Sequence, residues 1–149
     1  TGEEGEVEGE RSQCALDLTL LAGRLAVVLD WVKGSSQAPG PIGLYATRGG
    51  AVPALIAASE RPSEVAALAV SATRPDLAGW TLQAVRAPTL LLVPSHGGQE
   101  ALAANQRAFE VLGGPKYLET IDDTAQTPRR VAAFMAHQMA LRLAAGSGA

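Results

Sequence analysis

Two residues able to do acid–base chemistry follow neighbouring apolar runs: His96 comes after 89–93, and Asp123 comes after 117–121. A histidine held by a carboxylate is the usual core of a general base, and the hydroxyl of Thr47, at the end of the apolar run 42–46, is the nucleophile such a pair would activate. The same run leads into Arg48, Gly49 and Gly50, while Thr73 and Arg74 follow the run 65–71. A guanidinium beside glycines at the start of a helix suits an anion, because free backbone amides and a planar cation together hold a phosphate or carboxylate. Plainer readings stand beside these. Glycines are needed at a strand-to-helix turn for backbone reasons alone, and His96 followed by Gly97 and Gly98 also fits a surface loop. Ser71 and Ser95 add hydroxyls that read as loop hydrogen-bonders, and His137 falls on the polar side of the last helical stretch. Cys14 has no cation near it in sequence to lower its pKa. It makes neither a CxxC pair nor a metal cluster with the two histidines, so no metal is expected.

The elements that must position these residues follow from periodicity. Leu18, Leu21, Leu25, Val28, Leu29 and Val32 recur at helical spacing, with Asp17 as the expected N-cap and Gly34 as the stop. The short apolar runs 42–46, 65–71, 89–93 and 117–121 alternate with helical stretches at 51–59, 77–85, 99–112 and from Thr127 onward. Strands alternating with helices imply right-handed βαβ units and a parallel sheet. The expected fold is therefore α/β, a three-layer sandwich with about four parallel strands. Consecutive right-handed crossovers put the middle helices on one face and leave mainly the last helix on the other. In an open parallel sheet, ligands bind beyond the carboxyl ends of the strands, which is where Thr47, Arg48, Thr73, Arg74, His96 and Asp123 all fall.

Composition narrows the function classes. A chain of 149 residues with 47% hydrophobic content is the common size of one domain, expected here over 14–146, and residues 1–13 carry five glutamates and read as a flexible acidic tail. The net charge of −3 is small and the twelve basic residues are scattered, which argues against a nucleic-acid partner. No apolar run reaches the roughly 18 residues of a membrane span, and the acidic start is unlike a secretory leader. With a single cysteine, a reducing, cytoplasmic setting is expected. The turn at 47–50 lacks both G-x-G-x-x-G and the P-loop lysine pattern, so no cofactor is expected.

The segment Ile42-Gly-Leu-Tyr-Ala-Thr-Arg-Gly-Gly-Ala-Val-Pro-Ala-Leu55 resembles the nucleophile-elbow region of dienelactone-hydrolase-like α/β-hydrolases. The helix ending in Leu29-Asp30-Trp31, the stretch Arg74-Pro-Asp-Leu-Ala-Gly79, and Arg86-Ala-Pro-Thr-Leu-Leu-Leu-Val93 resemble the same family, and the likeness runs from about residue 15 to 145. The resemblance implies the second half of an α/β-hydrolase fold. It also implies a G-x-S-x-G turn whose strained geometry presents a serine above the sheet while backbone amides form an oxyanion hole.

In the register without gaps, the nucleophile position holds Arg48, which cannot attack a carbonyl. The acid position falls near Gly97 and the histidine near Gln126, so all three triad roles are vacant. The leading expectation is a non-catalytic binding or assembly domain, with Arg48, Gly49, Gly50 and Arg74 as candidate ligand-binding residues for a small anion. The alternatives are a small-ester hydrolase using Thr47, His96 and Asp123, in which Thr47 takes the nucleophile position by a one-residue shift of register, or a fragment completed by another chain. The family fold has further strands before the matched region, so the strand ending at Ala46 is an expected open edge. A homo-oligomer or protein partner pairing with that edge is the corresponding expectation.

Overall fold

The computed structural model describes residues 2–148 apart from 36, 38 and 39, with side chains described from Asp17 onward. The element order is α1 (Gly2–Gly34), β1 (Ile42–Thr47), α2 (Ala51–Glu60), β2 (Val65–Ser71), a 3₁₀ segment (Pro75–Ala84), β3 (Thr89–Pro94), α3 (Gly98–Val111), β4 (Lys116–Ile121) and α4 (Thr127–Gly146). The four strands form one sheet in the order β1-β2-β3-β4, parallel throughout.

Runs of Val, Leu and Ala without an intervening charge become the central strands, because only a strand covered on both faces can bury every side chain. β2 is buried from Val65 to Val70, and β3 from Thr89 to Val93. The register places Tyr45, Ala69, Leu90 and Tyr117 in one row across the sheet, and Ala46, Val70, Leu91 and Leu118 in the next. Successive rows face opposite sides. The second row belongs to the larger core, where Leu68, Val70 and Leu91 meet Leu29 of α1, Leu55 and Ala58 of α2, Leu82 of the 3₁₀ segment and Ala108 of α3. The first row belongs to a smaller core, where Ala69, Leu90 and Leu92 meet Val131, Phe134 and Met135 of α4. The middle helices thus share one face and α4 covers the other, as right-handed crossovers require.

Two contacts distant in sequence lock the larger side. The Asn105 side chain, fully buried on α3, donates from Nδ2 to the carbonyls of Ala72 (2.9 Å) and Ala101 (2.8 Å), tying α3 to the end of β2. Asp76 accepts from Arg74 and from Arg107 (2.9 Å to each), which joins the 3₁₀ segment to α3. Gly113, just after α3, sits so close to the 3₁₀ segment that a Cβ there would lie 2.1 Å from the Gln83 carbonyl oxygen.

One boundary differs from the sequence expectation. The backbone of 2–13, read from composition as a flexible tail, continues α1, so the helix does not begin at Asp17. Glutamate is a good helix former, and once the later turns of α1 are docked on α2, each added residue extends the helix without a new nucleation cost.

Candidate functional site

The carboxyl ends of the strands open into a cleft of about 610 Å³ whose lining includes Tyr45, Thr47, Arg48, Gly49, Ser71, Thr73, His96, Thr124 and Thr127. Its floor is set by the register. Thr47 stands beside Ser71 in one row, and Tyr45 lies two residues earlier on the same side of β1. Tyr45 is half exposed, and its partial burial raises the phenol pKa above its ordinary value.

At the cleft wall the chain leaves β1 through a 3₁₀ turn, Arg48–Gly50, directly into α2. Thr47 is extended, with φ −127°, whereas Arg48 has φ +49°, the single non-glycine residue of positive φ among the described residues. The left-handed conformation costs an L-residue about 1–2 kcal/mol. Tertiary structure therefore holds Arg48 at the apex of a strained strand-to-helix turn, and Thr47 on the strand before it. The N-cap of α2, Gly50, has no side chain to satisfy the first amides of the helix. The Arg48 carbonyl accepts from the Ala51 amide, but among the described residues its guanidinium has no hydrogen-bond or ion-pair partner, so its charge is uncommitted.

The remaining sequence candidates separate. Thr47 and His96 line the same cleft, with His96 exposed on the short turn Ser95–Gly97. Asp123 is not part of that lining. Its carboxylate accepts from the Ala125 amide at 2.8 Å and caps the turn Thr124–Gln126, and among the described residues no hydrogen bond joins it to His96. Arg74 also stands apart from Arg48, in an adjacent depression of about 200 Å³ with Thr73, Gly97 and Glu100. Its guanidinium is matched by Asp76, from Nε at 2.9 Å and Nη2 at 3.3 Å, and Glu100 lies 3.9 Å away. Gly49 lines the cleft, while Gly50 serves as the α2 cap instead. His137 is exposed on α4, and the Cys14 side chain lies outside the described residues. Among the described residues no cluster of three or more His, Cys, Asp or Glu could hold a metal ion, and no helix is long and apolar enough to cross a membrane.

Gly97, near the place expected for the acid of a triad, is enclosed: a Cβ there would lie 2.6 Å from the Ala101 Cβ and 3.4 Å from Thr73 Cγ2. An acidic side chain could not enter without displacing α3. Gln126, near the expected histidine position, is exposed at the end of the turn before α4. Tyr45, Thr124 and Thr127 were missed as cleft residues. Tyr45 was detectable, since a strand residue two before a rim residue shares its face; Thr124 and Thr127 reach the cleft only because α4 turns back over the sheet.

No family model matches the chain. Its fold superposes on a dienelactone hydrolase from Anabaena variabilis with a TM-score of 0.70 and 32% sequence identity, covering 93% of this chain and 67% of that one. Proteins named as putative phosphoribosyl transferases from two strains of Mycobacterium tuberculosis are 38% identical to it over 118 residues. That match takes in 76% of this chain but 26% of theirs, so the chain spans about a quarter of the length of these curated relatives. With its parallel sheet, its strained turn at Arg48 and its close likeness to a solved member, the chain belongs to the dienelactone-hydrolase-like family of α/β-hydrolases.

Proposed function

We propose that this domain keeps the packing of an α/β-hydrolase but uses its cleft to bind a small anionic ligand rather than to cleave an ester. The observation that carries the reading is Arg48: a cation stands at the positive-φ apex of the turn, at the amino end of α2 and in the cleft lining, with no carboxylate paired to it among the described residues. A guanidinium supplies the charged, planar donors a phosphate or carboxylate needs. The vacant acid and histidine positions agree with this, since Gly97 has no room for an acid and Gln126 cannot serve as a base. The names of the mycobacterial relatives supply a ligand class, phosphorylated sugars, although a chain matching a quarter of their length does not inherit their transfer activity.

A charge-assisted contact contributes about 1.5–3 kcal/mol, so a simple phosphate should bind with a Kd on the order of 10 mM and a ligand filling the cleft more tightly. Isothermal titration with inorganic phosphate and with ribose 5-phosphate is the test, alongside hydrolysis of p-nitrophenyl acetate on the same preparation. Binding that disappears in Arg48→Ala, with no hydrolysis above background, supports the proposal. The presence of Thr47 and His96 in one cleft favours a second reading, a small-ester hydrolase. Hydrolysis that follows the protein and is lost in His96→Ala would establish it and displace the first.

A further inference from the structure

The cleft extends well beyond the anion that Arg48 can hold. Thr47 is level with Ser71 and Ser71 with Leu92, while Pro94, two residues beyond Leu92, is level with Ile121. Residues in register, or two apart on one strand, share a face of the sheet. Here it is the face that α4 covers, and Thr127 at the start of α4 lines the same cleft. The cleft therefore crosses the ends of all four strands, roughly 14 Å at about 4.8 Å per strand, and its 610 Å³ is far more than one phosphate fills. Arg48 stands at the β1 end of this trough. His96 follows β3, two strands away, which is a lateral separation of about 10 Å, and the hydroxyls of Ser71 and Thr73 at the end of β2 lie between them.

We infer that the cleft takes an extended ligand with an anionic group at each end, one phosphate on Arg48 and the other on His96 and Thr127, as an open-chain sugar bisphosphate would present them. The inference rests on the anion-binding reading of Arg48 and adds a second subsite to it. Thr127 is the observation that places this subsite. Its residue is only 9% exposed, yet among the described residues its hydroxyl has no hydrogen-bond partner. A hydroxyl withdrawn from water without a partner is unfavourable, and a ligand oxygen in the cleft supplies the partner it lacks. The charge pattern agrees. Lys33, Arg61, Arg74, Arg107 and Arg130 are each paired with a carboxylate, whereas Arg48 and His96 are both left without one among the described residues. No acid or carboxamide among those residues lines the cleft. Asp122 and Asp123 follow β4 but lie outside the lining, and the Asp123 carboxylate is engaged by the Ala125 amide. The lining thus offers donors and no fixed negative charge, which suits a ligand rich in acceptor oxygens.

The test is isothermal titration of the full chain with fructose 6-phosphate, fructose 1,6-bisphosphate and pyrophosphate. Fructose 1,6-bisphosphate carries its phosphates at opposite ends of the sugar, whereas those of pyrophosphate share one oxygen and cannot span the trough. The bisphosphate is expected to bind at least about tenfold more tightly than either of the others, because it alone makes a second charge-assisted contact. His96→Ala and Thr127→Val should each lower the bisphosphate to the affinity of fructose 6-phosphate, and Thr127→Ser, which keeps the hydroxyl, should retain the preference. Thermal unfolding of each variant shows that the fold is kept. A bisphosphate no tighter than fructose 6-phosphate would overturn the inference, and so would pyrophosphate binding as tightly as the bisphosphate, or a preference that survives both His96→Ala and Thr127→Val. Phosphate binding that depends on Arg48 but shows no such preference removes the second subsite and leaves the anion reading in place. Absence of binding by every one of these anions removes both.

Discussion

Replacing Arg48 by glycine and, separately, by alanine isolates the strain at the cleft turn from the charge it presents. Arg48 sits at φ +49° with its side chain exposed and unpaired among the described residues, so removing the guanidinium breaks no hydrogen bond or ion pair with them. Alanine keeps the Cβ and hence the left-handed strain of about 1–2 kcal/mol, which glycine releases. Glycine also loosens the unfolded chain, at a cost of about 0.4–1 kcal/mol. Arg48→Gly should therefore come out more stable than Arg48→Ala by about 0.5–1 kcal/mol, which is roughly 2–3 °C in Tm for a domain of this size. Ligand linkage gives the second readout. Phosphate at ten times its Kd should stabilise the wild type by about 1.4 kcal/mol and raise its Tm by roughly 3–5 °C, and it should leave both variants unmoved. Thermal unfolding followed by circular dichroism, with and without phosphate, measures both effects. If Arg48→Gly is no more stable than Arg48→Ala, the turn is not strained as argued. If phosphate still raises the Tm of both variants, Arg48 is not the anion ligand.

Gly97→Asp, which would reinstate an acid near its family position, should destabilise the protein by about 1–3 kcal/mol in urea unfolding and confer no ester hydrolysis, because its Cβ meets the Ala101 Cβ at 2.6 Å. Asn105→Ala leaves the buried Ala72 carbonyl without its donor, and a loss of about 1–3 kcal/mol is expected, readable in the same assay. Stability should also fall on the acid side. Burial pushes the Asp76 carboxyl upward, but hydrogen bonds from Arg74 and Arg107 and their charges outweigh it and hold its pKa below the ordinary 3.8. A carboxyl depressed on folding stabilises the folded state in full above its unfolded pKa, and that contribution is lost as pH falls through the folded value. Unfolding free energy measured below about pH 4 should thus decline, and Asp76→Asn should flatten part of that decline. Asp30 and Glu64, lowered chiefly by hydrogen bonds from Arg61, contribute in the same direction and account for the part that remains.

Much of the architecture was legible in residue order because it depends on short periods. Uninterrupted Val, Leu and Ala in β2 and β3 can be buried only between two layers, and helical stretches between the strands force parallel crossovers, so the sheet and the sidedness of α4 followed. Part of the cleft rim followed as well, namely Thr47, Arg48, Thr73 and His96, because residues just after parallel strands gather at one end of the sheet. The expectation that Arg48, Gly97 and Gln126 stand near the triad positions also came from residue order, since it concerns side-chain identity and not geometry.

What only the tertiary structure decided are relations between residues far apart in the chain. That Asp76 is shared with Arg107, and that Glu100 approaches Arg74, depends on where α3 returns to the 3₁₀ segment. Asp123 could have faced His96, yet the turn before α4 engages its carboxylate as a cap. The space at Gly97 is filled by a helix that begins one residue later and folds back on the turn, and no local pattern states that distance. The two-sidedness of α1 was hidden for the same reason. Leu18, Leu21, Leu25 and Val28 all fit helical spacing, and only docking against α2 determines that Leu18 and Leu25 turn inward while Leu21 and Val28 remain exposed. Sequence period records that a side chain is apolar and which neighbours share its face, but which apolar face is covered is settled by the volume the rest of the chain can fill.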